Sequence, residues 1–199
     1  MSPHRVVRST LARPIVLAWV CSFLVQTAAQ GAEPECVPPA PSCLEDLAQL
    51  SWPELEELYR HASVGAIPEG FLCGRAIYCP DAAFARLRTR VSRTLWHGKV
   101  FRCEDGTLVN QWCGIQAIKA VVCHGSSWLD GQPAIVMNYQ PTSFVWRKVR
   151  DEMREVAPGL FLGIMYLRHC PEPRFKMFFA LECGPSCPEP CQGSCCPDN

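Results

Sequence analysis

Between Leu95 and Cys183 the chain alternates apolar and polar residues in six segments, separated by short turn sequences. A period of two marks strands with one buried face, because successive side chains on a strand point to opposite sides. Asp105-Gly106, between Lys99–Cys103 and Thr107–Cys113, is a hairpin signal, since a tight turn needs residues that tolerate positive φ. Gly114 precedes Ile115–Cys123, Asp130-Gly131 precedes Ala134–Tyr139, Pro158-Gly159 precedes Leu160–Arg168, and Pro171 to Pro173 precede Phe175–Cys183. Phe144–Val156 fits either a helical turn or a charged strand. Consecutive strands on short turns predict an antiparallel meander, curled or closed into a barrel.

The segment before it has helical spacing instead. Ser42 with Glu45, and Ser51 with Glu54, have the spacing of capping boxes, which predicts a short helix through Leu50 and a second through Ser63. In the second, Leu55, Leu58, Tyr59 and Ala62 share one face. Ile67-Pro68-Glu69-Gly70 reads as a turn, and Pro80-Asp81 starts a third helix carrying Phe84, Leu87 and Val91.

At the N-terminus, Arg5, Arg8 and Arg13 precede the apolar run Ile15–Val25, and small residues follow through Ala32. This run falls short of the roughly 20 residues a membrane span needs, and the pattern predicts a cleaved secretory signal over residues 1–31. The expected location is periplasmic or extracellular, with no stable membrane span after cleavage. Cleavage would remove three of the 19 basic residues and none of the 19 acidic ones, leaving a mildly acidic chain. Nothing in it resembles a basic nucleic-acid-binding block, so no nucleic-acid partner is expected.

Of fourteen cysteines, Cys21 leaves with the signal, and thirteen in an exported chain imply disulfides with at least one thiol left over. Short closures from Cys36 to Cys43 and from Cys73 to Cys79 fit the spacing; the remaining connectivity is open. The tail, residues 184–199, is rich in cysteine and proline. It is expected to form local disulfides, with a disulfide-linked partner as a further reading and a zinc site at Cys183, Cys187, Cys191 and Cys195 as the alternative. No cofactor is implied.

From Trp96-His97-Gly98-Lys99-Val100-Phe101 onward the chain resembles bacterial and fungal proteins of unknown function with a Gly-x-Trp-x-Gly domain. The resemblance continues through Trp128-Leu129-Asp130-Gly131, Arg150-Asp151-Glu152 and Pro158-Gly159-Leu160-Phe161-Leu162-Gly163, covering roughly residues 95 to 182. The first glycine of that motif is Thr94 here. The resemblance implies a lipocalin-like barrel with an internal cavity and supplies no reaction. The expected architecture is therefore α+β, mainly β: a helical segment over 32–94 packed on a β-barrel domain over 95–183.

No hydrolase elbow, zinc-protease helix, dinucleotide glycine pattern or phosphate loop interrupts the chain. The expected function is binding of a small, largely apolar molecule by Trp96, Lys99, Tyr139, Trp146, Arg150, Glu152 and Tyr166. On a strand, alternate members of Arg150-Asp151-Glu152-Met153-Arg154-Glu155 must face inward, where charge survives only if paired or ligand-bound. Two other classes remain: an extracytoplasmic enzyme with a polar centre at Arg150, Asp151 and Glu152, and an envelope structural protein cross-linked through its tail.

Overall fold

The computed structural model describes residues 40–78, 87, 91–92 and 94–184. The signal segment, most of the expected third helix, and the cysteines at 36, 79, 187, 191 and 195 lie outside the described residues.

Two short helices come first, α1 (Leu44–Gln49) and α2 (Trp52–His61). The box at α2 forms, with the Ser51 amide donating to Glu54 Oε2 at 2.7 Å, and Pro53 stands in the first turn, where its missing N–H costs nothing. The box expected at α1 does not form. Cys43 is the N-cap, Ser42 bonds Asp46 Oδ2 through both its amide and its hydroxyl at 2.9 Å, and Glu45 pairs with Arg75 instead.

Eight strands follow: β1 (Gly70–Ile77), β2 (Trp96–Arg102), β3 (Thr107–Trp112), β4 (Ile115–Ser126), β5 (Pro133–Asn138), β6 (Val149–Ala157), β7 (Leu160–Leu167) and β8 (Arg174–Cys183). Each pairs antiparallel with its sequence neighbour, and β1 pairs with β8 to close the barrel. Closure leaves none of these strands as an unpaired sheet edge. The barrel thus starts at Gly70, inside the segment expected to be helical, and the ambiguous stretch before Val156 contributes β6.

Turn chemistry holds at the predicted positions. Gly106 ends a single 3-10 turn in the left-handed conformation (φ 62°) between β2 and β3, and Gly159 (φ 72°) sits between β6 and β7. Cys113 and Gly114 both have positive φ, the geometry a two-residue hairpin requires.

Two apolar clusters divide the molecule. One fills the barrel, including Leu72, Phe101, Leu108, Met137, Met153, Phe161 and Phe179. The other lies on the outer face, where Leu44, Leu47, Leu55 and Tyr59 of the helices cluster with Leu160, Leu162, Ile164, Tyr166, Phe178 and Ala180. Burial of each such side chain contributes about 1.5–3 kcal/mol. β6 and β7 are consequently buried on both faces over most of their length.

Cys43 and Cys73 are free thiols, so the short closures expected to Cys36 and Cys79 do not form. Cys103 and Cys123 are each disulfide-bonded. Among the described residues, no helix is long and apolar enough to cross a membrane.

Candidate functional site

A cavity of about 300 Å³ opens at one end of the barrel. Its wall is mostly apolar, with Trp96, Trp112, Trp146, Met165, Met177 and Phe179 among the lining residues. That end gathers the β3–β4 hairpin, the loop after β5 and the ends of β1, β7 and β8.

A buried polar cluster borders the cavity. Lys99 Nζ donates to Asn110 Oδ1 at 3.0 Å, to Tyr139 OH at 2.7 Å and to Asp151 Oδ2 at 2.9 Å. Tyr139 OH donates to the same carboxylate oxygen at 2.9 Å. Asn110 also accepts from the Trp96 indole at 3.1 Å and donates to the Ile118 carbonyl and to Tyr139 OH. The ammonium lies 5.3–5.6 Å from the ring centres of Phe179, Tyr139 and Trp96, within range of cation–π attraction.

Local irregularities aim these groups. In a regular strand Trp96 and Lys99 would face opposite sides, but the β2–β3 register shifts between Trp96 and Gly98, and both side chains are buried toward the cavity. Gly98 makes the shift possible. Its φ is +142°, and a Cβ there would stand 1.9 Å from the Leu72 carbonyl oxygen. Gly74, opposite, leaves the space that the Trp96 indole occupies; a Cβ there would meet that ring at 2.7 Å. On β4 the register shifts again and leaves Ile118 at φ 63°, an uncommon conformation for a β-branched residue. The Ile118 carbonyl accepts the Asn110 side-chain amide.

Burial alone would drive Lys99 toward its neutral form, yet the Asp151 carboxylate, with Tyr139, holds its pKa above the ordinary lysine value. The Tyr139 hydroxyl is pushed up to about 12, first by burial and then by the Asp151 charge. The cluster thus sets a protonated lysine and a neutral phenol against the Asp151 carboxyl group. A lysine held in this state is not a nucleophile. Two of the residues that line the cavity each carry a buried polar atom with no protein hydrogen-bond partner, Asp151 Oδ1 and Trp112 Nε1, and neither atom is open to the cavity.

Of the residues expected from sequence, Trp96, Lys99, Tyr139 and Trp146 line this cavity. Arg150, Glu152 and Tyr166 do not. They lie on the outer face of β6 and β7, where Arg150 pairs with Glu152 and stacks 4.2 Å from the Trp128 ring. Glu152 also accepts from Tyr59 OH, Ser127 Oγ and the Trp128 amide, and Arg154 is bidentate on Asp130 at 2.7 and 2.8 Å. These charges fasten α2 and the 127–132 loop to the barrel. The correction follows from the pleat: on β6 it is Asp151, between Arg150 and Glu152, that faces inward. A polar centre made of all three residues does not exist.

Asn110 was not anticipated. It occupies the inward phase of Leu108-Asn110-Trp112, and a polar residue at a core position was the signal available. Among the described residues no group of three His, Cys, Asp or Glu could hold a metal, and Cys183 stands half-buried at the end of β8.

No family model and no curated protein matches the chain. A solved structure of a protein from Thermomonospora curvata is similar over 67% of this chain and 87% of that one, with 17% identity and a TM-score of 0.44. A likeness that distant transfers no function.

Proposed function

We propose that this protein binds a small, largely apolar molecule in the barrel cavity, and that it does so after export. The observation that carries the reading is the apolar, aromatic-walled cavity with a fully buried Lys99–Tyr139–Asp151 cluster beside it. Buried charges are costly to assemble, and an apolar cavity bordered by a few convergent polar groups is the common form of a small-molecule site. An eight-stranded barrel has the width to hold one such ligand, which agrees with the lipocalin-like fold implied by the Gly-x-Trp-x-Gly resemblance. The enzyme reading loses its polar centre because β6 sends Arg150 and Glu152 away from Asp151. The envelope reading rests on a tail outside the described residues.

The test is titration of the purified protein with a panel of apolar fluorescent probes, followed by tryptophan emission. Saturable binding that Trp146→Ala or Trp96→Ala weakens supports the reading; a flat response across the panel defeats it. Export is tested separately. N-terminal sequencing of secreted material should start between Gln30 and Glu33, and recovery of an intact Met1 chain would overturn it.

A further inference from the structure

We infer that the open end of the barrel docks on an anionic lipid surface, and that the cavity takes its ligand from there. The second clause rests on the proposed binding function; the docking stands on observations of its own.

Neighbouring strands are antiparallel, so the β1–β2, β3–β4, β5–β6 and β7–β8 connections all lie at the end where the cavity opens. Large apolar side chains are exposed there. Leu95 precedes β2, Ile115 opens β4, and Phe144 and Val145, consecutive in the β5–β6 connection, are 83% and 80% exposed. A single exposed apolar residue needs no explanation, but several around one opening mark an interaction surface. The Cys113 amide donates to the Leu95 carbonyl, and the Thr142 hydroxyl donates to the Lys119 carbonyl of β4, which ties these connections together. Trp146, two residues beyond Phe144, lines the cavity itself.

Charge is distributed as unevenly. Among the described residues, the connections at this end and the start of β8 carry Arg147, Lys148, Arg168, Arg174 and Lys176, with Glu172 as the one carboxylate. None of these five cations is in a salt bridge among the described residues. At the opposite end, the β2–β3 and β4–β5 connections carry Glu104, Asp105 and Asp130 and no lysine or arginine. The barrel is thus polarised along its length, although the chain as a whole has a formal net charge of zero.

Apolar side chains that insert, beside cations that meet anionic headgroups, make an interfacial site. Arg147 and Phe144 combine the two, the guanidinium lying 4.9 Å from the centre of the exposed ring. A second copy of this chain on the same face would set cation against cation. An acidic protein would satisfy the cations and leave the apolar side chains without a medium to enter. Charge complementarity and exposed apolar area together select anionic lipid.

The experiment is co-sedimentation of the full chain with vesicles of phosphatidylcholine, with and without phosphatidylglycerol. Anionic vesicles should be bound about tenfold or more tighter than neutral ones, with the advantage falling as salt rises. Phe144→Ser with Val145→Ser should weaken binding about tenfold or more. Arg147→Gln with Lys148→Gln should do the same on anionic vesicles only. Glu104→Gln, at the far end, should stay within about twofold of wild type, since its charge lies beyond the screening distance. All five positions are exposed, and circular dichroism verifies that the variants stay folded. Absence of binding to anionic vesicles overturns the inference, as does attachment that survives in both double variants. A dimer that Phe144→Ser abolishes, without vesicle binding, gives the surface to a second copy and also overturns it. Docking with a flat probe panel removes the ligand clause along with the binding reading and upholds the surface. Probe binding without docking overturns this inference alone.

Discussion

Arg150 and Asp151 are adjacent in β6 and face opposite ways: Asp151 borders the cavity, while the Arg150 guanidinium stacks on Trp128 outside the barrel. The two residues therefore answer to different assays. Arg150→Ala leaves Glu152 fully buried without its cation, and breaking a pair of this kind costs about 3–5 kcal/mol of stability. Probe affinity at the cavity should stay within about twofold of wild type, a difference of under half a kcal/mol. Chemical denaturation and probe titration of the same preparation check both halves. A large affinity loss without loss of stability would return Arg150 to the binding site.

Asp130 supplies the second anchor. Arg154 is 1% exposed and donates to both Asp130 oxygens, while two further N–H groups donate to the Pro133 and Tyr59 carbonyls. Asp130→Ala should cost on the order of 3 kcal/mol by stranding that guanidinium. The hydrogen bonds from Arg154 hold the Asp130 pKa below its ordinary value of 3.8. A depressed acid stabilises the fold above the unfolded value and loses that contribution as pH falls through the folded one. Wild type should accordingly lose stability more steeply below about pH 4 than Asp130→Asn does. Denaturant midpoints across that range give the slopes, and equal slopes would contradict the pairing.

At the other extreme of pH, three of the four tyrosines act together. Tyr139 is raised to about 12, and Tyr59 and Tyr166 also titrate above the ordinary value of 10.0, each chiefly through burial and then through a neighbouring carboxylate. Lys99 is raised as well, by Asp151 against its own burial. In each case the folded chain holds its proton to higher pH than the unfolded chain. Their contribution is complete below about pH 10 and is lost as pH rises toward 12. Urea midpoints should fall over that interval, and the tyrosinate absorbance of these three residues should appear with unfolding rather than before it. Tyrosinate from three residues in a folded sample near pH 10 would refute the burial argument.

Gly98 and Gly131 both have positive φ but differ in surroundings. Gly131→Ala meets nothing within 4 Å and should cost only the left-handed backbone penalty, about 1–2 kcal/mol. Gly98→Ala would place a methyl group 1.9 Å from the Leu72 carbonyl, so β1 and β2 must part or Trp96 must move. Its cost should exceed that of Gly131→Ala by several kcal/mol, on the scale of core overpacking. Thermal unfolding of the two variants side by side decides it; comparable losses would mean the bulge can relax.

The strands easiest to read from sequence were those with one solvated or cavity face, such as the start of β8, where Arg174, Phe175, Lys176 and Met177 alternate. β6 was ambiguous for a physical reason. Buried on both faces, it has no apolar–polar alternation, and its five charges are shared between an inner cluster and an outer one. β1 was missed because Gly70 and Gly74 weaken its pattern, Gly74 giving way to the Trp96 ring. Trp96, Lys99, Tyr139 and Trp146 were identifiable as aromatic or cationic residues in or beside β-segments. Arg150 and Glu152 were misplaced because strand phase within a wholly charged run cannot be set without knowing which face is covered. The bulge at Trp96–Gly98 had no signal beyond the glycine itself.

The doubly charged character of β6 also bears on how the barrel closes. A strand with one buried face is held in register because a slip of one residue turns its whole apolar set outward. A slip of one residue in β6 would drive Arg150, Glu152 and Arg154 into the apolar interior and expel Asp151, leaving Lys99 facing three misplaced ions. A slipped β6 is therefore penalised electrostatically on two sides at once. Its native register is the one in which both sets of ions meet their counterparts.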